Sequence, residues 1–362
     1  MNNPVRILAA YLPQFHPIPE NDEWWGKGFT EWTNVGKAKP LFRGHYQPRV
    51  PGDLGYYDLR LPEVRQQQAD MAKEAGIEGF CYWHYWFGNG KRLLERPFNE
   101  VVASGKPDFP FCLSWANHSW QDKQFSKEGT ERMLMEQVYG GEKDYLEHFY
   151  ALLPAFKDKR YVKVDGKVLF QIYQPLAIPE VEKFIACWQR EAKQNGLEGV
   201  HFVGHTHYEH DYEPLMQKGF AAINMVRLYH FHKHAYSLPE RAIIKLKRLW
   251  LKHGSVFDYG KLYQYFSDKN DAQDNWYPTL IPQWDHSPRS GKRANIFIHS
   301  NPGVFKKHVK QVFETVRNKP QEHRVIFLKS WNEWAEGNYM EPDLKYGHGY
   351  LIALKEAIAE FK

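Results

Sequence analysis

The stretch from Val325 to Gly337, VIFLKSWNEWAEG, starts as an apolar strand and ends in polar and aromatic residues. Its first four residues include β-branched and aromatic side chains, which is typical of a strand. Two glutamates, Glu333 and Glu336, then stand three positions apart beside two tryptophans. Carboxylates are costly to bury unless they are paired or used. This ending therefore predicts the centre of a site for chemistry, and the flat rings beside the carboxylates favour a carbohydrate ligand.

Strand and helix patterns alternate along the rest of the chain. Strands are predicted at 6–11, 77–83, 109–114, 168–173, 200–205, 220–225, 279–284 and 324–330. Helical periodicity fills most of the intervals between them, with Pro62 and Pro302 at helix starts. This alternation predicts an α/β fold, a (β/α)₈ TIM barrel, as one domain over residues 1–362. Residues 12–59 are expected to form a long loop over the barrel mouth.

The alternative fold is a doubly wound open sheet, which also alternates strands and helices. A nucleotide-binding sheet of that kind has a glycine-rich loop after its first strand. Residues 12–18 read LPQFHPI instead. The missing glycines favour the barrel.

Polar and aromatic residues follow every predicted strand. A barrel has its active site at the carboxyl ends of its strands. Aromatic rings can stack on the C–H face of a sugar, and polar side chains can bind its hydroxyls. We therefore predict that the strand ends bind a glycan through Tyr11, His16, His84, Tyr85, Trp115, Asn117, His118, Tyr173, His205, Trp284, Asp285, Trp331 and Asn332.

Cooperation between Glu333 and Glu336 requires the chain to leave strand geometry. In a straight strand their Cα atoms would be about 10 Å apart and their side chains on opposite faces. In a helical turn the Cβ atoms would be about 5–6 Å apart on one side, and Gly337 is compatible with that bend. The pair would then suit glycoside cleavage, with the carboxyl nearer the indoles protonated as the acid and the other ionised. The alternative is a capping or surface pair at the start of a helix.

Composition and charge argue against several classes of partner. The net charge of +5 is spread over 362 residues and gives no particular support for nucleic acid. No run is long enough to span a membrane, and residues 1–6 carry no apolar signal core, so we expect a cytoplasmic protein. Cys81, Cys112 and Cys187 have no zinc-like spacing and are expected to be reduced and mostly buried.

Two further patterns have two interpretations each. His205 and His207 alternate on a predicted strand and would face opposite sides, which favours structural histidines over metal ligands. Residues 235–252 form a basic amphipathic helix. A solvated helix face is the simpler interpretation, and contact with an acidic glycan or a membrane surface is the alternative.

Four motifs together resemble one family. They are YLPQFHPIPENDEWWG from Tyr11, GFTEWTNV from Gly28, WAN from Trp115 and WNEWAEG from Trp331. They resemble the WbsX-type, glycoside hydrolase family 99-like proteins, and the resemblance covers essentially the whole chain. Such proteins are often encoded with O-antigen or capsule genes and are frequently described as glycosyltransferases.

The resemblance implies a (β/α)₈ barrel that cleaves α-mannosidic bonds with retention and needs no metal and no cofactor. It adds Glu31 and Trp32 to the expected substrate contacts. By resemblance, Glu333 assists attack by the substrate's own 2-hydroxyl, and Glu336 acts first as general acid and then as base. One departure is His118, which stands where relatives often have glutamate after the Trp-Ala-Asn motif. Sugar preference at that subsite is therefore left open.

The sequence as a whole predicts a retaining glycoside hydrolase acting on an α-linked, mannose-like bond in a bacterial glycan. One alternative is a glycosyltransferase or transglycosylase in O-antigen, lipopolysaccharide or capsular polysaccharide biosynthesis. Another is a non-catalytic glycan-binding protein. The expected partner is an oligosaccharide or polysaccharide, with no nucleic acid and no integral membrane segment. Peripheral membrane contact is the less favoured expectation.

Overall fold

A parallel β-barrel forms the centre of the molecule, whose computed structural model describes residues 4–122, 132–229, 231–251 and 254–361. The barrel strands are β1 (Arg6–Tyr11), β2 (Gly79–Trp86), β3 (Phe111–Trp115), β4 (Lys167–Ile172), β5 (Val200–Thr206), β6 (Ala222–Met225), β7 (Trp276–Tyr277), β8 (Thr279–Leu280) and β9 (Val325–Leu328). Their neighbouring pairs all run parallel. The predicted TIM barrel is confirmed.

The seventh strand of the barrel is broken at Pro278. Its first half, β7, pairs with β6, and its second half, β8, pairs with β9. Proline has no N–H to donate to a ladder, but the Pro278 carbonyl still accepts a hydrogen bond from the Phe327 N–H at 3.0 Å. Because β1 pairs with both β2 and β9, the sheet returns on itself. The seventh strand was predicted at 279–284, whereas its pairing covers residues on either side of Pro278 and ends at Leu280.

Helices occupy the intervals between the barrel strands. They are α1 (Pro19–Trp25), α2 (Glu31–Lys37), α3 (Pro62–Glu74), α4 (Arg96–Ser104), α5 (Glu142–Phe156), α6 (Val181–Gln194), α7 (Tyr212–Gln217), α8 (His232–Ala235), α9 (Leu238–Leu251), α10 (Tyr259–Leu262), α11 (Ser287–Ser290), α12 (Pro302–Val316) and α13 (Gly349–Glu360). Pro62 and Pro302 open α3 and α12 as predicted. Among the described residues, no helix has both the length and the apolar composition needed to cross a bilayer.

The barrel strands are buried on both faces. Every residue of β3, β5, β6 and β9 is buried, because helices cover the outside of such a barrel and side chains fill its interior. The three cysteines are also buried and free, as predicted.

The connection from β1 to α3 is bound to the segment that follows β9. The Asn332 side chain accepts a hydrogen bond from the Leu12 N–H at 2.7 Å and donates one to the Leu12 carbonyl at 3.0 Å. Further along, the Gly52 N–H donates to the Pro342 carbonyl at 2.8 Å. This connection contains α1 and α2, so it has more regular structure than a simple loop. Its attachment gives the site two walls that are far apart in sequence.

Candidate active site

The segment after β9 curls, and the curl brings its two glutamates to one side. Asn332–Glu333 pairs antiparallel with Asn338–Tyr339, and Trp334–Glu336 forms a single 3₁₀ turn between them. Gly337 closes the turn in the left-handed region, with a φ of 56°. A Cβ at this position would lie 2.9 Å from the Asp285 backbone nitrogen, so glycine is required sterically as well as conformationally. The departure from strand geometry that cooperation demands is therefore present.

A central cavity of about 230 Å³ contains both carboxylates in its wall. It is lined by Leu12, Gln14, Trp83, Tyr85, Ala116, His118, Trp120, Tyr173, Arg289, Lys329, Glu333 and Glu336. An outer groove of about 560 Å³ shares four of these residues, which are Gln14, His118, Trp120 and Arg289. The groove also includes Trp25, Phe29 and Glu31 from the connection after β1. The cavity thus opens into a longer channel with aromatic walls.

Glu333 is held by two donors from the end of β9. Its Oε2 accepts a hydrogen bond from the Ser330 hydroxyl at 2.7 Å, and the Lys329 ammonium lies 3.2 Å from the same oxygen. The residue is only 5% exposed. The two contacts fix the position of the Glu333 carboxyl group in the cavity wall.

Glu336 lies among three cationic or polar groups. The Arg289 guanidinium donates to its Oε1 at 2.6 Å, His286 Nε2 is 3.6 Å from that oxygen, and the Lys329 ammonium is 3.8 Å from Oε2. Burial alone would raise the pKa of Glu336, but Arg289, Lys329 and His286 outweigh it and hold the pKa at about 2. The expectation that a carboxyl near the indoles is protonated is wrong for Glu336, because cations surround it.

Arg289 joins two parts of the site. It donates to Glu31 on α2 and to Glu336 after β9, each at 2.6 Å. Glu31 is 1% exposed, and burial together with the nearby Glu336 and Glu333 carboxylates raises its pKa although Arg289 acts to lower it. Arg289 itself has a raised pKa, since Glu31, Glu336 and Glu333 more than offset the effect of burial. The bridge fixes α2 against the segment that follows β9.

Four of the predicted substrate contacts lie at these cavities. Tyr85, His118 and Tyr173 line the central cavity, while Glu31 and His118 line the outer groove. Burial and nearby carboxylates, with Glu333 the largest of them, raise the pKa of the Tyr85 hydroxyl. These four side chains line cavities at the barrel mouth, and their contact with a substrate stays a prediction.

Three predicted contacts are instead part of the core. The Tyr11 hydroxyl donates to Gln68 at 2.7 Å, and the Trp115 indole donates to the Trp86 carbonyl at 2.9 Å. His84 Nε2 lies 2.8 Å from His148 Nε2, and burial lowers the pKa of both rings well below the usual value. All three side chains are buried. Their roles are structural because their polar atoms are used inside the fold.

Asn332, Asn117 and Asp285 connect loops rather than line the cavity. Asn332 binds the backbone of Leu12, as described above. The Asn117 amide donates to the Gln174 carbonyl at 2.8 Å and accepts from the Gln174 N–H at 2.7 Å. Asp285 accepts hydrogen bonds from His45, Gln47 and the Ser287 N–H at 2.7–3.0 Å. Burial acts to raise its pKa, but His45, Arg49 and Ser287 lower it. These residues support the site from behind.

The remaining predicted contacts pack one layer behind the cavity or further away. His205 packs against Tyr173 with ring centroids 4.9 Å apart, and Trp284 lies 5.5 Å from the Lys329 ammonium. Three others contact residues outside the cavity lining. Trp32 donates to the Tyr57 carbonyl, and Trp331 packs on Phe80. His16 Nδ1 lies 3.0 Å from the Pro13 carbonyl. Direct contact with substrate is not supported for these five.

Arg289 and Lys329 contact the two glutamates of the candidate site, and the sequence did not reveal them. Lys329 stands inside the opening stretch, directly after β9, and its position next to the glutamates is a signal that could have been used. Arg289 lies beyond the predicted seventh strand in no recognisable motif. Trp83, Trp120 and Gln14 also line the cavity. They stand at or just after the ends of predicted strands, which is the criterion that selected their neighbours as substrate contacts.

Comparison with known proteins identifies the family. Residues 7–354 match the family model described as Glycosyltransferase WbsX. The chain belongs to the WbsX family. Two proteins named Uncharacterized protein WxcX, from Xanthomonas campestris pv. campestris strains B100 and ATCC 33913, are 36% and 35% identical over 360 residues. The match covers 98% of this chain but 50% of each relative, so the chain spans about half the length of these curated relatives.

Solved structures show the same fold at low sequence identity. Two structures of the GH99 endo-alpha-mannosidase from Bacteroides thetaiotaomicron have TM-scores of 0.57 and 0.59, with 16% and 15% identity. Each comparison covers 98% of this chain and 97% of the other. A glycoside hydrolase-like protein has a TM-score of 0.60 with 14% identity, covering 99% and 94% of the two chains. The barrel fold that the motifs implied is confirmed by these structures.

Proposed function

We propose that this WbsX-family chain is a carbohydrate-active enzyme that cleaves an α-linked, mannose-like bond in a bacterial glycan with retention. Glu333 and Glu336 would be its catalytic pair. The observation that carries the proposal is that both carboxylates stand in one wall of an aromatic-lined cavity and contact the same Lys329 ammonium. The mannosidase fold is supporting analogy, since a shared fold alone does not establish an activity.

Glu333 is assigned the basic role in the first step. The Ser330 hydroxyl and the Lys329 ammonium hold its Oε2 in the wall of the central cavity. As a carboxylate it can accept the proton of the sugar's 2-hydroxyl while that oxygen attacks the anomeric carbon of the same sugar unit and forms a 1,2-anhydro sugar. The bond to the leaving oxygen breaks in the same step, and water later opens the anhydro sugar. Two inversions at the anomeric carbon give retention overall.

Glu336 is assigned the acid and base roles at the leaving group. Arg289 and Lys329 hold the pKa of Glu336 at about 2, so Glu336 must take up a proton before it can donate one. We propose that a sugar in the central cavity loosens the contact between Arg289 and Glu336. Glu336 would then protonate the leaving oxygen and afterwards accept a proton from the attacking water.

The shape of the site favours a bond within a longer glycan. The central cavity is small and lies at the carboxylates, whereas the outer groove is wider and carries Trp25, Phe29 and Trp120. Aromatic faces of this kind can stack against sugar rings. One ring would occupy the cavity, and its neighbours in the glycan would lie along the groove.

A glycosyltransferase is the second candidate, and the ionised state of Glu336 favours it. A transferase that uses a phosphate leaving group does not have to protonate that group. An already ionised glutamate would serve as the base that deprotonates an acceptor hydroxyl. Arg289 and Lys329 could meet the negative charge of the departing phosphate. This role is consistent with the description of the WbsX family as a glycosyltransferase.

A product screen separates the two candidates. The chain would be incubated with synthetic α-mannosides and polysaccharide fragments, and separately with nucleotide sugars plus a glycan acceptor, in heavy-oxygen water. Mass spectrometry would detect shortened products carrying the heavy oxygen if the reaction is hydrolysis, and lengthened acceptors if it is transfer. Calorimetry with nucleotide sugars would give an independent reading of donor binding.

Two variants test whether Glu333 is responsible. Glu333→Gln keeps the shape of the side chain but removes the base, and we expect product formation to fall by roughly 10²–10⁴-fold. Glu136→Gln, at an exposed position after β3, is the matched control and should be as active as the wild type. Wild-type activity in Glu333→Gln would sink the assignment. If the wild-type chain bound a glycan tightly and formed no product, that result would support a non-catalytic binding protein instead.

A further inference from the structure

Helix α9 presents a row of large apolar side chains to solvent. Ile243, Leu246, Leu249 and Trp250 are 51%, 54%, 61% and 84% exposed. A helix on the surface of a globular protein normally turns its apolar stripe toward the core. The spacing of these four residues puts them on one side of the helix. They therefore form an outward apolar stripe that the fold leaves uncovered.

The opposite side of α9 already accounts for the attachment of the helix. Ile244 packs against the buried cluster that contains Phe231, Phe266 and Phe297. The helix thus has an inner apolar contact that holds it to the barrel. The outward stripe is an additional apolar surface, and contiguous exposed apolar surface of this kind marks an interaction site.

Basic residues border the stripe. Helical geometry puts Lys247 along one edge and Lys245 along the other, with Arg241 and Arg248 beyond Lys245. Within the described part of the chain, none of these four has a carboxylate within salt-bridge distance. The one acidic residue of α9, Glu240, is already engaged by the Ser237 N–H and the Lys261 ammonium at 2.8 and 3.0 Å. The positive charge beside the stripe is therefore available to an anionic partner.

We propose that α9 is an interfacial helix that binds this face of the molecule to an anionic phospholipid bilayer. Helices with an apolar face and flanking Lys and Arg lie in the plane of the membrane, with the apolar face about 5–10 Å into the headgroup and acyl boundary. Trp250 is suited to that depth because its ring is amphipathic. Lys245 and Lys247 can extend to the phosphates while their stems stay apolar.

Charge distinguishes the bilayer from a second copy of the chain. A symmetric dimer formed through the stripe would bring the same surface of each subunit together. Lys245, Lys247 and Arg248 would then face their own equivalents, and like charges in an interface repel. An anionic bilayer meets the same cations with opposite charge. The observed combination of stripe and border therefore favours the lipid surface.

The position of α9 puts the bilayer beside the barrel mouth. The helix follows β6, and a groove along it is lined by Arg241, Arg248 and Tyr229. Tyr229 lies near the catalytic segment: burial and the Glu336 carboxylate raise its pKa to about 12. Membrane contact was the less favoured interpretation of the sequence, and the exposed stripe supports it. Membrane binding by α9 does not depend on the proposed function.

Vesicle co-sedimentation tests the proposal directly. The full chain would be mixed with phosphatidylcholine vesicles and with phosphatidylcholine vesicles containing phosphatidylglycerol. We expect binding to the anionic vesicles that weakens with added salt. Leu246→Ser/Trp250→Ser should lower the partition coefficient by about tenfold or more, since two large apolar side chains are lost. Lys245→Gln/Lys247→Gln/Arg248→Gln should remove the preference for anionic lipid.

A matched control keeps the test specific. Ile352→Ser removes an apolar side chain that is 52% exposed on α13, and it should bind vesicles like the wild type. Circular dichroism would verify that all variants are folded. No vesicle binding by the wild type, or equal binding by Leu246→Ser/Trp250→Ser, would overturn the proposal. So would a wild-type dimer that ignores vesicles and becomes monomeric in that double variant, because a second copy would then cover the stripe.

Discussion

Glu336 and Glu341 are carboxyl groups on the same short segment after β9, one partly buried and one buried, and their surroundings are opposite. Glu336 faces the central cavity and the Arg289 and Lys329 cations, and its pKa is held at about 2. Glu341 faces the core and accepts hydrogen bonds from Trp334, Gln68 and Tyr57 at 2.6–2.9 Å. These donors are all neutral, and burial raises the pKa of Glu341 to about 7 despite them.

The difference shows what decides the charge of a buried carboxyl group here. Burial acts to raise the pKa at both positions, and neutral hydrogen-bond donors only partly offset it at Glu341. Nearby cations reverse the direction at Glu336. The cavity face of the segment thus keeps Glu336 negatively charged, whereas the core face surrounds Glu341 with neutral donors and raises its pKa. Variants of the two glutamates and of their partners should therefore behave differently.

The largest expected effect is on turnover when the two glutamates are replaced in parallel. Glu336→Gln should lower kcat by roughly 10²–10⁴-fold on whichever substrate the product screen identifies, because the acid and base group is gone. Glu341→Gln should lower it by less than about tenfold, since Glu341 lies behind the cavity. Calorimetry should show retained glycan binding in both variants. Equal losses in the two would mean that the segment acts as one structural unit.

Removing Arg289 should destabilise the cavity face strongly. Arg289→Met leaves Glu31 and Glu336 as buried charges without their shared partner, and we expect a loss of about 3–5 kcal/mol in the free energy of unfolding near neutral pH. The deficit should shrink as pH falls, because protonation neutralises both carboxylates. Urea unfolding at several pH values would measure it.

Two further variants control the Arg289 experiment. Arg293→Met removes an exposed arginine that follows α11 and should change stability by less than about 0.5 kcal/mol. Glu31→Gln added to Arg289→Met should recover part of the loss, because one unpaired charge is removed. An Arg289→Met protein as stable as Arg293→Met would contradict the ion-pair interpretation.

The raised pKa of Glu341 on the core face should be measurable in the pH dependence of the free energy of unfolding. A carboxyl group whose pKa is higher in the folded state stabilises the fold fully below its unfolded pKa, and this contribution is lost as pH rises through the folded value. For Glu341 the window runs from 4.5 to about 7. Stability should fall by about 3 kcal/mol across it on account of this residue. In Glu341→Gln that decline should be absent, and parallel curves for the two proteins would refute the raised pKa.

The sequence predicted the barrel well because strand periodicity and helix-starting prolines are local signals. It placed β1 at its observed bounds and α3 and α12 at their observed starts. The break at Pro278 was missed because the two short pieces around it, β7 and β8, carry too few residues for a pattern. What makes them one strand is pairing with β6 and β9, which are distant in the chain.

The site was predicted only in part, for a reason visible in β2. Side chains alternate between faces along a strand. Trp83 and Tyr85 line the central cavity, whereas His84 between them turns to His148 in the core. His84 and Tyr85 were both predicted as substrate contacts, and alternation alone excludes one of them. Arg289 could not be found this way, because its partner Glu31 is 258 positions away in sequence.

The smallest predicted effect concerns the Ser330 hydroxyl on the cavity face. It is buried and donates to Glu333 at 2.7 Å, and a hydrogen bond to a charged group contributes about 1.5–3 kcal/mol. The Lys329 ammonium remains after Ser330→Ala, so we take the lower figure and expect kcat/KM to fall by about tenfold.

Ser114→Ala is the matched control for this hydroxyl. Ser114 is equally buried on β3, but its Oγ has no hydrogen-bond partner among the described residues. Its removal should leave kcat/KM within about twofold of the wild type. If both variants lost activity equally, packing around the strand ends rather than the donor to Glu333 would be responsible. A loss confined to Ser330→Ala would instead show that the cavity face depends on the donor that positions Glu333 beside the Lys329 ammonium, whereas the donors to Glu341 on the core face are neutral groups.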